Sequence, residues 1–228
     1  MIMQYHMDLT KFGMEEFKRV LQTTRLLPSE GLLRDNLDER FSVLTALGIG
    51  NVSDLLYALR TKKQLAQCAC QSGIPSEYLV VLRRHAGMYT PKPIRLEKFP
   101  GIAEEHIERL AFIGIRDTKQ LLEHALTPEA RTALSAAAKV PFGILLELVK
   151  LSDLVRAPYV GAVWARLFYE AGADTLERLA RSDPDVLCER VRLVNERHNI
   201  TKGGMLTSTD MASSLAIYRM IPAIVQYA

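Results

Sequence analysis

The residues from Gly161 to Arg166 have the types and the spacing that best suit a chemical task, the binding of phosphate. Gly161 and Ala165 are small residues four positions apart, which lets a backbone approach a ligand and a helix pack closely. Backbone N–H groups at a helix start attract anions, and a following basic side chain adds positive charge. We therefore expect a phosphate-binding turn at Val160, Gly161, Ala162 and Arg166.

A related turn lies earlier in the chain and supplies two more candidates, Gly101 and Ile102. Both turns follow in part the order hydrophobic-x-Gly-hydrophobic-Gly, which is the signature of helix-hairpin-helix motifs. Each turn departs from that order at one glycine: Ala103 replaces the second glycine here, and Tyr159 replaces the first glycine of the later turn. The carboxylates of Glu104-Glu105 would also repel a phosphate at this helix start.

Two further turns of this kind contain Pro75 and Pro141, and each loses a backbone donor to the proline ring. None of the four turns therefore keeps the whole motif. A second interpretation stays open for all of them, namely that they only hold neighbouring helices together.

Basic side chains outside the turns gather beside a helix start, at a helix end and in a proline-rich stretch. Clusters of this kind also serve ordinary helix stabilisation. They would form a nucleic-acid surface only if the tertiary fold brought them to one face. The candidate positions are Lys62, Lys63, Arg83, Arg84 and Lys92.

No group of residues predicts catalysis or metal binding. The Cys68-Ala69-Cys70 spacing suits neither a zinc site nor a redox pair, and a third cysteine stands alone at Cys188. The five histidines are scattered, without the four-residue spacing that would place two on one helix face. We therefore expect no enzyme activity, no metal and no cofactor, and buried or half-buried thiols in a reducing compartment.

The elements that must position these turns are predicted to be helices, because apolar residues recur at helical spacing and no alternating run indicates a strand. A repeated unit organises the helices. Gly48, Gly114 and Gly172 lie 66 and 58 residues apart, and each precedes a leucine by seven positions. We expect each glycine to end a helix in the left-handed conformation.

Helix starts are also visible in the sequence. Thr61 has capping-box spacing, and Thr127-Pro128 and Asp183-Pro184 each combine a cap with a proline at the first helical position. The prolines of Thr90-Pro91-Lys92-Pro93 exclude a helix there. We therefore predict two lobes, residues 1–90 and 94–228.

A helix predicted from about Thr209 is apolar nearly all round through Tyr227 and contains Pro222, which should kink it. Such a helix must be buried. Packing into its own core is the first expectation, and self-association through a second copy of the chain is the alternative.

The segment from about residue 95 to 227 resembles the domain-of-unknown-function family built from tandem helix-hairpin-helix units. The resemblance rests on residues 99–102, 110–122, 148–154, 161–166, 171–179 and 194–196. Residues 30–93 resemble a more divergent copy. The resemblance implies an all-α fold of tandem helix-hairpin-helix (SAM-like) repeats, and helix-hairpin-helix domains elsewhere often bind DNA backbones without sequence preference.

Net charge and hydropathy bear on nucleic-acid binding and on the location of the protein. Among 228 residues, 29 are basic and 26 acidic, so the net charge of +3 is low for a strongly electrostatic nucleic-acid binder. No apolar run indicates a secretory signal or a membrane span, which favours the cytoplasm. The leading hypothesis is a non-enzymatic module that binds DNA or RNA backbones. The alternative is a protein-interaction or assembly scaffold.

Overall fold

A computed structural model describes residues 3–227, and within that range the chain contains thirteen α-helices and two short 3-10 helices. The prediction of an all-α fold is confirmed. The 3-10 helices are Pro28–Arg34 and Leu96–Lys98. The α-helices, in chain order, are α1 Met14–Thr23, α2 Leu37–Ala46, α3 Val52–Ala58, α4 Lys62–Ser72, α5 Ser76–Gly87, α6 Glu104–Phe112, α7 Thr118–His124, α8 Pro128–Ala138, α9 Phe142–Leu154, α10 Ala162–Glu170, α11 Leu176–Arg181, α12 Pro184–His198 and α13 Ser208–Tyr218.

The helices form two compact units. Asp8–Tyr89 holds α1 to α5, and the second unit combines the residues up to Met7 with those from Thr90 onward, which hold α6 to α13. The N-terminal segment was expected in the first lobe. It packs in the second unit, where the Tyr5 carbonyl accepts a hydrogen bond from the buried guanidinium of Arg156 at 3.0 Å.

Three corners end helices in the same way. Gly48, Gly114 and Gly172 have φ values of 85°, 90° and 84°, so the predicted left-handed glycines are confirmed. At each corner the N–H of the next residue returns to a carbonyl five positions back, with N···O distances of 3.2, 3.0 and 2.9 Å. These bonds satisfy carbonyls that a helix end leaves free.

The predicted helix starts are also confirmed. The hydroxyl of Thr61 accepts a hydrogen bond from the N–H of Gln64 in a capping box, and Thr127 and Asp183 cap α8 and α12 ahead of a proline. Each cap satisfies an N–H that has no partner within its helix and contributes about 1 kcal/mol.

Helix α9 is the centre of the second unit. Its apolar residues cover most of its circumference, among them the buried Leu148, Val149 and Leu151, and it packs against α7, α8, α10 and α11. A helix with this composition is stable only when neighbours cover it on most sides. Among the described residues, no helix is long and apolar enough to cross a membrane.

The Asp8–Tyr89 unit has an aromatic core. Phe12, Phe17 and Tyr89 are buried, and their ring centroids lie 5.1 to 5.8 Å apart in edge-on arrangements. These contacts hold α1 against α5. Aromatic pairs of this kind add stability beyond the burial of their area.

The C-terminal helix is shorter than the sequence predicts. Helix α13 ends at Tyr218, and residues 221–227 are not helical, so Pro222 lies beyond the helix rather than at a kink inside it. Tertiary contacts explain the difference, because the carbonyl of Pro222 accepts a hydrogen bond from Arg156 at 2.6 Å. Helix α13 itself packs against α11 and α12 of its own unit.

Candidate functional site

The start of α10 carries four of the predicted site residues. Gly161 is the N-cap and provides no side-chain cap, and the first turn holds no acidic residue. The N–H of Ala165 donates to the Gly161 carbonyl at 2.9 Å and closes the first turn of this helix. The N–H groups of Ala162 and Val163 precede that bond, where a helix has no internal acceptor to offer. The positive end of the helix dipole lies at the same place.

The turn at Gly101 leads in the same way into α6. Ala103 is the N-cap of α6 and again provides no side-chain cap. The difference lies in the first turn, where Glu104 and Glu105 are both exposed. Their carboxylates complement the positive helix end and oppose the approach of another anion.

The backbone follows the same course through the Gly101 turn, residues 99–103, and the Tyr159 turn, residues 157–161. Gly101 has a φ of 82° and Tyr159 has a φ of 66°, both in the left-handed region. Before them, the N–H of Phe99 donates to a carbonyl three residues back at 3.2 Å, and that of Ala157 does so at 3.1 Å. Tyr159 therefore has the left-handed conformation that Gly101 has in the other turn.

Arg166, on α10, places its guanidinium beside the Gly101 turn. Its Nη1 donates to Glu147 at 2.6 Å and to Glu170 at 3.2 Å. Its Nη2 lies 3.6 Å from where a Cβ at Gly101 would be. The residue is only 6 % exposed, and its Nε and Nη2 have no hydrogen-bond partner. The sequence predicts a cation facing a phosphate, whereas in the structure Arg166 is buried and its charge is balanced by two carboxylates.

The comparison with protein families finds one match, to the model described as Domain of unknown function (DUF4332), over residues 100–213. That range is half of the chain. The chain belongs to the DUF4332 family. A search of curated proteins and a search of solved structures find no match.

The DUF4332 match begins inside the Gly101 turn and includes the whole Tyr159 turn and α10. Of the predicted turn residues, Val160 is buried, whereas Gly161, Ala162 and Ile102 are partly exposed. Arg166 of α10 thus lies beside the Gly101 turn, and residues at both turns are partly exposed.

The other basic candidates lie outside the DUF4332 match. Lys62 and Lys63 are exposed in the first turn of α4. Arg83 donates to the Leu59 carbonyl at 3.0 Å, and Arg84 donates to the hydroxyl of Ser29 at 3.3 Å. These four belong to the Asp8–Tyr89 unit.

The fifth basic candidate, Lys92, belongs to the second unit and is exposed in the non-helical stretch after α5. Whether any of the five basic side chains contacts nucleic acid stays a prediction.

Sequence reasoning missed a buried polar cluster in the second unit, formed by Arg131, Asp153 and Arg156. The two arginines are each 1 % exposed and Asp153 is 4 % exposed. Arg156 donates to Asp153, while the other carboxylate oxygen accepts the N–H of Leu176 at 3.2 Å and so caps the start of α11. The sequence signal was the pair of opposite charges Asp153 and Arg156 at the largely apolar end of α9.

The cluster binds the C-terminal segment, residues 219–227, which lies beyond the DUF4332 match. Arg131 donates to the Gln226 carbonyl at 2.6 Å, and the Tyr227 hydroxyl donates to Asp153 at 3.0 Å. Burial, reinforced by the nearby carboxylate, raises the pKa of Tyr227 well above 10. The hydroxyl therefore stays protonated and remains a donor at neutral pH.

A second buried pair lies in the Asp8–Tyr89 unit. The ring Nδ1 of His85 is 3.3 Å from Glu30, and both side chains are almost fully buried. Burial lowers the pKa of His85 below 6.5, partly offset by the adjacent carboxylate. The pair ties the 3-10 helix Pro28–Arg34 to α5, which is a structural role.

The structure also shows where the cysteines and the residue types that bind metals lie. Among residues 3–227, no three His, Cys, Asp or Glu side chains come together as metal ligands. Cys68 is buried and Cys188 is half-buried, as expected, but Cys70 is exposed on α4.

Proposed function

We propose that this chain is a binding module that holds phosphates of a nucleic-acid backbone at the start of α10, with the Gly101 turn beside it. The two turns are interpreted as the hairpins of helix-hairpin-helix units. The supporting observation is that α10 begins with neither a side-chain cap nor an acidic residue. Backbone amides read no base, so the binding would be independent of sequence.

The other helix starts of the second unit support this choice by contrast. The starts of α7, α8, α11, α12 and α13 are each capped by the side chain of the N-cap residue. At those helices the anion position is already filled. The start of α9, like that of α10, has no side-chain cap and no acid, but its N-cap is Pro141, whose own nitrogen carries no proton to donate.

The charge distribution limits the strength of such binding. Arg178, Arg181 and Arg192 are exposed, and each forms a salt bridge with a carboxylate one helical turn away. Paired charges contribute little to the release of counterions from a nucleic acid. We therefore expect modest affinity that falls as salt is raised.

The test adds a carboxylate to the first turn of α10 by Val163→Glu. Val163 is 37 % exposed, and an acid there favours the helix itself, so the variant should fold. A matched control is Val186→Glu, because Val186 is 48 % exposed in the first turn of α12, which Asp183 already caps. Both variants have the same net charge.

Labelled duplex and single-stranded DNA are titrated at low and moderate salt. We expect Val163→Glu to weaken binding about tenfold, since its carboxylate occupies the anion position, and Val186→Glu to change it less than about twofold. Equal losses in the two variants, or no binding by the unmodified protein at low salt, would reject the proposal.

A second candidate function, protein interaction or assembly, is supported by one exposed apolar group. Phe112 is 92 % exposed at the end of α6, and the neighbouring Ile113 is 41 % exposed. Exposed apolar groups of this size occur where proteins meet partners. In that case binding would depend on Phe112 and little on salt, and the turns would be purely structural.

A further inference from the structure

The Tyr159 turn adopts a conformation that its residue type disfavours. Its φ of 66° lies in the left-handed region, where a side chain with a Cβ is strained and a bulky one is rare. The Gly101 turn has the same conformation without strain, because glycine has no Cβ. A strained residue persists only where the surrounding structure fixes it.

The C-terminal part of the chain contacts the Tyr159 turn through a hydrogen bond from α13. The hydroxyl of Tyr218, in α13, donates to the carbonyl of Pro158 at 3.3 Å, and both groups are buried. Pro158 immediately precedes the strained residue. The bond therefore fixes the peptide group that leads into the left-handed position.

Arg156, the residue immediately before the turn, is also fixed by hydrogen bonds. Arg156 donates through Nη2 to the carbonyl of Pro222 at 2.6 Å and through Nε to the carbonyl of Tyr5 at 3.0 Å. The N-terminal segment, through Tyr5, and the C-terminal segment, through Pro222, thus both contact Arg156. Because Arg156 is 1 % exposed, these bonds are shielded from water and hold the backbone firmly.

We propose that α13 and the segment after it form a clamp that keeps the Tyr159 turn left-handed, in the role that glycine has in the Gly101 turn. The C-terminal part of the chain then sets the geometry of the start of α10. This inference is independent of nucleic-acid binding, because it concerns only the conformation of the turn.

The test removes one bond of the clamp with Tyr218→Phe and follows amide hydrogen exchange by NMR in the intact chain. The reporter is the N–H of Val160, which donates to the Ala157 carbonyl at 3.2 Å inside the turn. The internal control is the N–H of Phe99 in the Gly101 turn. We expect exchange at Val160 to accelerate about fivefold and exchange at Phe99 to stay unchanged.

A second substitution separates the clamp from ordinary packing. Tyr159→Gly, combined with Tyr218→Phe, should restore slow exchange at Val160, because glycine needs no clamp to stay left-handed. Tyr159→Ala in the same background removes the same ring but keeps the Cβ, and it should not restore slow exchange.

The clamp is contradicted if Tyr218→Phe leaves exchange at Val160 unchanged, or if Tyr159→Ala restores protection as fully as Tyr159→Gly. DNA titration of the unmodified protein decides the proposed function separately, so one proposal can fail without the other.

Discussion

The turns at Gly101 and Tyr159 share a backbone course and differ in what maintains it. Gly101 reaches a φ of 82° through the absence of a Cβ, and it rests against the guanidinium of Arg166. Tyr159 reaches 66° under contacts from the C-terminal helix and the segment after it. A local residue type and a distant tertiary contact can therefore fix the same conformation.

The two turns also differ in what they offer a ligand. Helix α6 begins with Glu104 and Glu105, which occupy its positive end, whereas α10 begins without an acid. The turn that has glycine at its left-handed position thus has the less favourable helix start for a phosphate. The shape of such a turn and the chemistry at its helix start are separate requirements.

The largest change in stability is expected when the buried Arg166 is replaced. Arg166→Met leaves Glu147 and Glu170 without their cation, and Glu147 is only 20 % exposed in its side chain. Because both carboxylates retain some contact with water, we expect a loss of about 2 kcal/mol in the free energy of unfolding, measured with urea.

Arg178→Met is the matched control for this prediction. Its side chain is 67 % exposed and its salt bridge to Asp174 lies at the surface, so we expect a loss of about 0.5 kcal/mol or less. Equal losses in the two variants would contradict the view that the buried ion pairs of Arg166 stabilise the fold more than a surface pair does.

A smaller loss in the free energy of unfolding is expected when Gly101 is replaced. Gly101→Ala places a Cβ at positive φ and should lower the free energy of unfolding by about 1 to 2 kcal/mol. Gly143→Ala lies in the first turn of α9 with open space around it, and should instead be neutral or slightly stabilising. A Gly101→Ala variant as stable as Gly143→Ala would remove the distinction between the two turns.

The smallest expected effect is a change in DNA affinity when the acidic residues at the start of α6 are replaced. Glu104→Gln with Glu105→Gln removes two negative charges from the start of α6 and should strengthen DNA binding roughly threefold to tenfold at low salt. Glu108→Gln with Glu123→Gln makes the same change in net charge away from that helix start. If both double variants strengthen binding equally, net charge rather than the turn governs the affinity.

Local features were predictable because they depend on a few neighbouring residues. The left-handed corners at Gly48, Gly114 and Gly172 follow from the freedom of glycine, and the caps at Thr61 and Asp183 follow from side chains that reach their own helix start. The turns at Gly101 and Tyr159 were recognised from their residue order for the same reason.

Long-range features were not predictable from one sequence. Arg166 has the same side chain whether it faces solvent or a pair of glutamates, so its burial depends on the packing of α9 and the Gly101 turn around it. Likewise, α13 was expected to continue through Pro222, and it stops because Arg156 and Arg131 bind the carbonyls of the following segment.

The sequence by itself determined where helices begin, where they turn and which corners are left-handed, because these depend on the preferences of single residues and their nearest neighbours. Only the tertiary structure decided which charges are buried and how a tyrosine came to occupy the place of a glycine. Both outcomes depend on atoms contributed by segments far apart in the chain, and local preference carries no information about those contacts.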